Sequence, residues 1–232
     1  EHYHEPFIGG GAMFFSLERK KRAYISDVNS QLINSYIQVR DHPEEVITFL
    51  QEYPNTETNY YQIRNEITEE NTVENAAKFI YLNQTSFNGI YRVNRNGRYN
   101  VPYGHRRNWT YSPERIRTAS VKLHNTRIEV GDFEINKYRI KANDLIFLDP
   151  PYTVSHNNGF IQYNQNLFSL EDQHRLKSFI EYIKRKNAFY ILTNAAHTTI
   201  REIFLTEGDR IIELERNSVI GGRHATRTII SE

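Results

Sequence analysis

The sequence contains no cysteine, and only one methionine and one tryptophan, among its 232 residues. The absence of cysteine excludes disulfides, thiolate zinc sites and a cysteine nucleophile. The nine histidines have no spacing typical of metal ligands, so we expect no metal. No apolar run approaches the length of a membrane span and no segment resembles a secretory signal, which favours a cytoplasmic protein. A chain of this length suffices for one α/β core with a smaller inserted domain.

Net charge is small over the whole chain but large in one segment. The total is +1, whereas the window from Phe87 to Arg127 carries +8, which leaves about −7 for the remainder. Its basic residues are Arg92, Arg95, Arg98, Arg106, Arg107, Arg115, Arg117, Lys122 and Arg127, interleaved with Phe87, Tyr91, Tyr99, Tyr103, Trp109 and Tyr111. Cations among stacking rings suit a phosphate backbone and unstacked bases, so the window predicts nucleic-acid binding. The alternative is a solvated basic face.

Hydrophobic periodicity predicts an α/β fold, because strand and helix patterns alternate at both ends of the chain. The predicted strands are Tyr3–Glu5, Ala23–Ser26, Arg127–Val130, Leu145–Leu148, Phe189–Thr193, Ile211–Leu214 and Thr226–Ile230. The predicted helices are Ala12–Lys20, Leu32–Val39, Pro43–Gln51, Val73–Leu82, Leu170–Lys184 and Thr199–Leu205. We expect a mostly parallel sheet formed by residues 1–42 and 125–232, with a helical and β-hairpin domain inserted at 43–124.

The hairpin is predicted inside the basic window. Tyr91–Val93 and Tyr99–Val101 alternate apolar and polar residues on either side of Asn96-Gly97, which indicates a two-residue turn. Since side chains alternate along a strand, one face should carry Ile90, Arg92 and Asn94. The alternative is a sheet-edge ribbon whose arginines are only solvated.

A glycine-rich segment, Glu5–Ala12, follows the first predicted strand and precedes the first helix. Such glycines let a ligand approach the backbone at a positive helix end. The segment is not a dinucleotide fingerprint, because Phe14 replaces the third glycine, and it lacks the lysine of a P-loop. Asp27 ends the next strand and could accept hydrogen bonds from ribose hydroxyls. The alternatives are a plain tight turn and, for Asp27, a helix N-cap.

A second motif, Asp149-Pro150-Pro151-Tyr152, directly follows the apolar strand Leu145–Leu148. The exocyclic amino nitrogen of adenine is a poor nucleophile, since its lone pair is delocalised into the ring. Asp149 and the Pro150 carbonyl could accept hydrogen bonds from that amino group, while the prolines restrict the backbone that presents them. Tyr152 could stack on the base and face a sulfonium charge. The alternative is a strand-ending acid followed by a proline turn.

These motifs, in this order, resemble the Dam-like N6-adenine-specific DNA methyltransferases of the D12 class, alpha group, nearly end to end. The resemblance implies a Rossmann-like S-adenosylmethionine-dependent methyltransferase sheet with an inserted DNA-recognition domain. It identifies Asp149, Pro150, Pro151 and Tyr152 as catalytic. It assigns the methyl donor to Glu5, Pro6, Phe7, Gly9, Gly10, Gly11, Asp27, Asn29, Asp132, Phe133 and Asp149, with Gly131-Asp132-Phe133 holding the donor's adenine.

The segment Asn88–Gly104 is similar to the hairpin with which this family reads GATC sites. By that resemblance Arg92 contacts a guanine edge and Pro102 a thymine methyl, while Phe87 and Asn88 fill or support the gap left by a flipped base. These roles agree with the general chemistry of the major groove and of base flipping. The implied DNA-binding residues are Phe87, Asn88, Ile90, Arg92, Asn94, Arg95, Asn100, Pro102 and Arg106.

The sequence therefore predicts a monomeric enzyme that transfers a methyl group from S-adenosylmethionine to N6 of a flipped adenine in double-stranded DNA, without metal. One alternative is N4-cytosine methylation, although serine is more usual than Asp149 at the start of the motif in the cytosine enzymes. Another is a DNA-binding module that has lost catalysis. The family carries a segment with a lysine and an aromatic residue before its first motif, and we expect such a segment to be missing from this chain.

Overall fold

The computed structural model describes residues 1–18, 21–94, 97–106, 111–152, 168–195, 197–206, 208–217 and 229–231. It divides into two compact units. The first unit comprises Glu1–Ile8 and Phe133–Glu232, and the second comprises Gly9–Asp132. None of the helices in the described ranges combines the length and the apolar composition that crossing a bilayer requires.

Strands and helices alternate along most of the chain. The strands are β1 (Tyr3–Glu5), β2 (Ala23–Asp27), β3 (Thr126–Val130), β4 (Leu145–Leu148), β5 (Phe189–Leu192), β6 (Glu215–Asn217) and β7 (Ile229–Ser231). The helices are α1 (Ala12–Ser16), α2 (Ser30–Asp41), α3 (Pro43–Glu52), α4 (Glu57–Glu66), α5 (Val73–Thr85), α6 (Pro113–Leu123), α7 (Leu170–Arg185) and α8 (Thr198–Phe204). Short 3-10 helices lie at Phe87–Gly89 and Lys137–Arg139.

In the first unit, β1 pairs in parallel with β4, and β4 pairs in parallel with β5. β4 is apolar throughout, as expected for a strand covered on both faces. Its Ile146 and Leu148 are fully buried with Leu176 and Ile183 of α7. α7 begins with a capping box, in which Ser169 and Asp172 satisfy each other's backbone N–H groups. These contacts fix the end of β4, where the second sequence motif begins.

Asp144 ties the start of β4 to β1. Its carboxylate accepts hydrogen bonds from the backbone N–H of His2 at 2.6 Å and of Lys141 at 2.9 Å, and it contacts the His4 ring at 3.2 Å. Burial opposes ionisation of Asp144, but these hydrogen bonds outweigh it and lower the pKa of Asp144 to about 2. Burial lowers the pKa of His4 to about 4, so His4 is neutral in the folded protein near neutral pH.

In the second unit, β2 and β3 pair in parallel from Ala23↔Thr126 to Asp27↔Val130. Four of the described helices that follow β2 begin at side-chain caps, with Asn29 for α2, Thr56 for α4, Thr72 for α5 and Ser112 for α6. Their apolar faces form a buried core that includes Ile33, Val46, Leu50, Tyr60, Tyr81 and Leu82. Parallel strands connected through helices in both units confirm the predicted α/β class.

Three local predictions were wrong in detail. Helix α1 ends at Ser16, because Leu17 is already extended, instead of continuing to Lys20. The strand predicted for Ile211–Leu214 is not formed, since pairing begins at Glu215, opposite Ser231, and the apolar side chains before it remain exposed. In the predicted hairpin, Tyr91–Val93 and Tyr99–Val101 form no strands, and the described residues are joined by the isolated bridge Val93↔Tyr99 and by backbone hydrogen bonds from Asn94 to Arg98 and from Asn100 to Arg92.

Candidate active site and DNA interface

The glycine segment forms a turn that is held by two side chains of the second unit. The backbone N–H of Gly9 donates to Asp27 Oδ2 at 3.1 Å, and the hydroxyl of Tyr36 donates to the Gly9 carbonyl at 2.7 Å. Gly9 and Gly11 have φ values of 43° and 67°, a region that favours glycine. Both backbone polar groups of Gly9, its N–H and its carbonyl, are therefore hydrogen-bonded to side chains that hold the turn.

Gly9 and Gly10 leave open space where a side chain would lie. A Cβ added to either residue would meet no protein atom within 4 Å, whereas one on Gly11 would lie 3.0 Å from Phe15 and Tyr36. The open side faces a cavity of about 740 Å³ within the second unit, a volume typical of small-molecule sites. Its walls include Gly9, Gly10, Asp27, Asn29, Tyr36, Phe79, Tyr91, Arg106 and Arg115.

Asp27 reaches this cavity as a half-buried acid. Burial raises the pKa of Asp27, although hydrogen bonds from the backbone N–H groups of Asn29 and Gly9 act in the opposite direction. Asp27 does not cap α2 itself, because the N-cap is Asn29, whose side chain accepts from Leu32 N–H at 3.1 Å. The Asp27 carboxylate therefore shapes the turn while retaining a cavity-facing position.

The neighbouring strand brings Asp132 to the same edge of the second unit. β2 and β3 run in parallel, and the Gly131 N–H donates to the Asp27 carbonyl at 2.9 Å, one step beyond the Asp27↔Val130 pair. Asp132 follows Gly131 and is exposed. Of the acids predicted for the donor site, Asp27 thus ends one strand and Asp132 lies just beyond the carboxyl end of the adjacent strand.

Asp149 follows β4 in the first unit with its side chain exposed, while Pro150 behind it is buried. The backbone N–H of Thr193 donates to the Leu148 carbonyl at 2.9 Å, and the Thr193 hydroxyl donates to Asp149 Oδ1. Pro151 is exposed and Tyr152 half-buried. The motif thus presents one acid whose orientation is fixed by a neighbouring strand end.

The remaining donor residues of the first unit are packed into its core. Glu5 is 2% exposed and accepts from the Tyr3 hydroxyl at 2.6 Å, and Pro6 beside it is buried. The Phe7 ring stacks on Phe133 with centroids 5.4 Å apart. Phe133 is 3% exposed, with the guanidinium of Arg175 over its ring at 4.8 Å. The packing of these side chains therefore holds the backbone at Glu5–Phe7 and at Phe133 in place.

The second side of the hairpin has two distinct faces in the second unit. Tyr99, Val101 and Tyr103 are buried, whereas Arg98, which precedes Tyr99, and Pro102, which follows Val101, are exposed. The buried face is held by hydroxyl groups, among them Tyr60, which donates to the Val101 carbonyl at 2.8 Å. This alternation is the one predicted from the sequence, and it leaves a polar face on the outside.

Arg92 is held across the hairpin by Asn100. Its Nε donates to Asn100 Oδ1 at 2.8 Å, and the backbone N–H of Asn100 donates to the Arg92 carbonyl at 3.1 Å. The Asn94 side chain stabilises the connecting loop, because its Oδ1 accepts a hydrogen bond from the Arg98 N–H at 3.0 Å. Arg92 and Asn94 are exposed and Asn100 half-buried, while Arg95, Arg107 and Trp109 lie outside the described residues.

The segment Phe87–Gly89 is attached to the far end of the hairpin. The Phe87 N–H donates to the Pro102 carbonyl at 2.9 Å, and Gly104 N–H donates to the Thr85 carbonyl at 2.8 Å. A Cβ on Gly104 would lie 2.4 Å from the Ser86 carbonyl oxygen, so only glycine permits this approach. Asn88 has a φ of 55°, and Phe87 and Ile90 are 47% and 39% exposed. Apolar side chains therefore project beside the polar face.

Three residues at these sites were not among the predicted site residues, although Arg115 belongs to the basic window. Tyr36 lies on α2, Thr193 follows β5, and Arg115 lines the cavity from the first turn of α6 beside the predicted Arg106. Thr193 could have been found as the first polar residue after the strand next to Asp149. Tyr36 could not, because its hydroxyl meets a residue 27 positions earlier in the chain.

Parallel strands joined through helices, with a glycine turn and an Asp-Pro-Pro-Tyr motif at strand ends, define a Rossmann-like methyltransferase fold. The model of the D12 class N6 adenine-specific DNA methyltransferases matches residues 1–220, and the chain belongs to this family. The protein is therefore an adenine-specific DNA methyltransferase, and the predicted fold class and family are confirmed.

Similar proteins carry matching descriptions. The chain is 36% identical to the type II methyltransferase M1.LlaDCHI of Lactococcus lactis subsp. cremoris, over all of this chain and 84% of that protein. It is 33% identical to the type II methyltransferase M.MjaIII of Methanocaldococcus jannaschii, over 83% of this chain and 73% of that protein. It is 27% identical to the DNA adenine methylase of Escherichia coli K12, over 98% of this chain and 83% of that protein.

Proposed function

We propose that this protein transfers a methyl group from S-adenosylmethionine to N6 of a flipped adenine in double-stranded DNA, at GATC or a GATC-like site. The observation that carries the proposal is Asp149, an exposed acid at the end of a buried parallel strand, followed by a buried proline. The family implies this methyl donor, and the enzyme is proposed to act as a monomer without a metal.

The proposed donor site consists of the glycine turn and the acids beside it. Open space over Gly9 and Gly10 fits a ligand that approaches the backbone closely, and the neighbouring cavity is of suitable size. Asp27 is the proposed acceptor for ribose hydroxyls and Asp132 for the donor's adenine. When bound, the donor would supply an electrophilic methyl group on a sulfonium sulfur, whose bond to the methyl carbon breaks with the neutral thioether S-adenosylhomocysteine as the leaving group.

Catalysis is proposed to depend on two acceptors of the first unit. Asp149 and the carbonyl of Pro150 accept hydrogen bonds from the adenine amino group, which localises the nitrogen lone pair for bond formation with the methyl carbon. The nitrogen then carries one proton in excess, for which Asp149 is the proposed acceptor. Tyr152 is proposed to stack on the flipped base.

DNA recognition is assigned to a domain of residues 43–124, with residues 1–42 and 125–232 as the catalytic domain. The hairpin supports this assignment, because Arg92 and Pro102 are both exposed on it and Arg92 lies opposite Asn100, two residues before Pro102. Arg92 is proposed to contact a guanine edge and Pro102 a thymine methyl. The exposed Phe87 and Asn88 are proposed to fill the gap of the flipped base.

The test is a methylation assay on GATC and base-substituted duplexes, with the modified base identified by mass spectrometry. Wild type should yield N6-methyladenine, and Asp149→Ala should lose activity by far more than tenfold, about 1.4 kcal/mol in the barrier, while still binding DNA. Retention of activity within that factor would sink the mechanism. Methyl groups found on cytosine N4 would replace the adenine assignment, and wild type that binds duplex DNA without methylating it would indicate a binding module.

Gly10→Ala tests the donor site separately. The added methyl group meets no protein atom within 4 Å, so the free energy of unfolding should change little. If the donor lies against this turn, affinity for S-adenosylhomocysteine measured by calorimetry should fall clearly. An unchanged affinity would remove Gly10 from the site.

A further inference from the structure

We infer that Thr193 is a positioning residue for the methyl transfer, which acts by fixing the orientation of the Asp149 carboxylate. The inference rests on the function proposed above, because it assigns to Asp149 the role of acceptor. Thr193 itself is not proposed to touch DNA or the methyl donor.

The geometry follows from strand register. β4 and β5 run in parallel and their last paired residues are Leu148 and Leu192, so Asp149 and Thr193 leave the sheet side by side. The Thr193 N–H continues the ladder by donating to the Leu148 carbonyl at 2.9 Å. This bond fixes the backbone from which the Thr193 hydroxyl donates to Asp149 Oδ1.

A second contact secures the chain immediately after Thr193. The Asn194 side-chain amide donates to Gln173 Oε1 at 3.1 Å, and Gln173, on α7, is fully buried. The Asn194 Oδ1 accepts from Ala195 N–H at 2.9 Å. Thr193 is therefore held from the strand on one side and from a buried helix residue on the other.

An exposed carboxylate without a partner rotates about its side-chain bonds among several orientations. A hydrogen bond donated to Oδ1 restricts that rotation and leaves Oδ2 available for an adenine amino hydrogen. Small losses of alignment at a reacting group lower the rate without an equal loss of binding. Removal of the Thr193 hydroxyl should accordingly reduce turnover, while the affinities for DNA and donor remain.

The experiment compares Thr193→Val, which keeps the shape of the side chain, with Thr193→Ser, which keeps the hydroxyl. On a duplex that wild type methylates, Thr193→Val should lower kcat by about 10- to 100-fold, with KM for DNA within about threefold of wild type. Affinity for S-adenosylhomocysteine should also stay within about threefold. Thr193→Ser should recover most of kcat, and Thr48→Val, an exposed threonine on α3, should behave as wild type.

The inference is overturned if Thr193→Val retains kcat within threefold of wild type, or if Thr193→Ser is as slow as Thr193→Val. It is also overturned if kcat and the two affinities decline together. Should Thr193→Val unfold at the assay temperature, the comparison of Thr193→Ser with Thr193→Ala decides, since that pair differs only in the hydroxyl. Wild type that does not methylate adenine would instead refute the proposed function, so the two failures are distinguishable.

Discussion

The hydroxyl of Tyr36 donates a hydrogen bond to the carbonyl of Gly9 at 2.7 Å, and this hydroxyl oxygen of Tyr36 would lie 3.0 Å from a Cβ on Gly11. Asp27 holds the N–H of Gly9 from the other side. The turn is thus preorganised by a helix residue and a strand-end residue. A preorganised turn loses less freedom when a ligand binds against it.

Tyr36→Phe should therefore weaken binding of S-adenosylhomocysteine without unfolding the protein. Loss of one such hydrogen bond is worth about 0.5–1.5 kcal/mol, or roughly 2- to 13-fold in affinity. Calorimetric titration measures the change, and Tyr138→Phe, at a tyrosine that is 82% exposed, is the matched control. Equal affinities of wild type and Tyr36→Phe would show that the turn keeps its shape without this bond.

Gly104→Ala should destabilise the hairpin. The added Cβ would lie 2.4 Å from the Ser86 carbonyl oxygen and 2.9 Å from that of Thr85, and both are backbone atoms. Overpacking of this kind costs about 1–3 kcal/mol, and here it also displaces the segment that carries Phe87. We expect a lower midpoint of urea unfolding and weaker DNA binding. Gly10→Ala, which adds the same atom in open space, is the control, and equal stabilities of the two variants would contradict the prediction.

Arg92→Ala should relax the requirement for one guanine. A bidentate arginine–guanine contact discriminates by about 1–3 kcal/mol, whereas a phosphate contact affects all sequences alike. Methylation rates on a GATC duplex and on duplexes with one substituted base should therefore converge at a single position. Arg98→Ala, at an exposed arginine of the same hairpin, should instead lower affinity and its salt dependence for every duplex.

Asn100→Ala should relax specificity at the same base as Arg92→Ala, though by less. Asn100 Oδ1 accepts from Arg92 Nε at 2.8 Å, so its loss frees the guanidinium to sample other orientations. The double variant should then add little to Arg92→Ala alone, because the two residues act through one contact. If Arg92→Ala slows all duplexes by one factor, Arg92 contacts the backbone and this assignment is wrong.

Stability should decrease in mild acid because of His4. Its pKa is about 4 in the folded protein and about 6.5 when the chain is unfolded, so the unfolded state binds more protons between these values. The free energy of unfolding is therefore highest above pH 6.5, and protonation of His4 lowers it by up to about 3 kcal/mol as the pH falls to 4. The low pKa of Asp144 should add a further loss from its ordinary value of 3.8 down to about 2.

Urea unfolding at pH 7, 5.5 and 4.5 measures this dependence, and His4→Gln is the informative variant. Glutamine can donate to Asp144 but does not titrate, so its free energy of unfolding should vary less over this range than that of wild type. Parallel pH profiles for the two proteins would assign the acid sensitivity to other groups.

The sequence alone was sufficient where local structure depends on contiguous residues. The strand before Asp149, the prolines after it and the alternation from Tyr99 to Tyr103 are local patterns whose geometry the backbone period dictates. The basic window likewise indicates DNA binding through its composition, since a cluster of cations and aromatic rings needs no tertiary contact to be recognised. The prediction failed at Ile211–Leu214, where an apolar run favours a strand but pairing depends on a distant partner.

What the sequence predicted by itself was the family, which is confirmed, and the proposed chemistry, in which an acid and a carbonyl accept from an amino group and glycines at a strand end hold the methyl donor. Only the tertiary structure decided which side chains hold these groups in position. Tyr36 meets Gly9, Thr193 meets Asp149 and Gly104 meets Ser86 across 27, 44 and 18 positions of the chain, respectively. Contacts of that separation arise from strand register and helix packing, and no local period of the sequence encodes them.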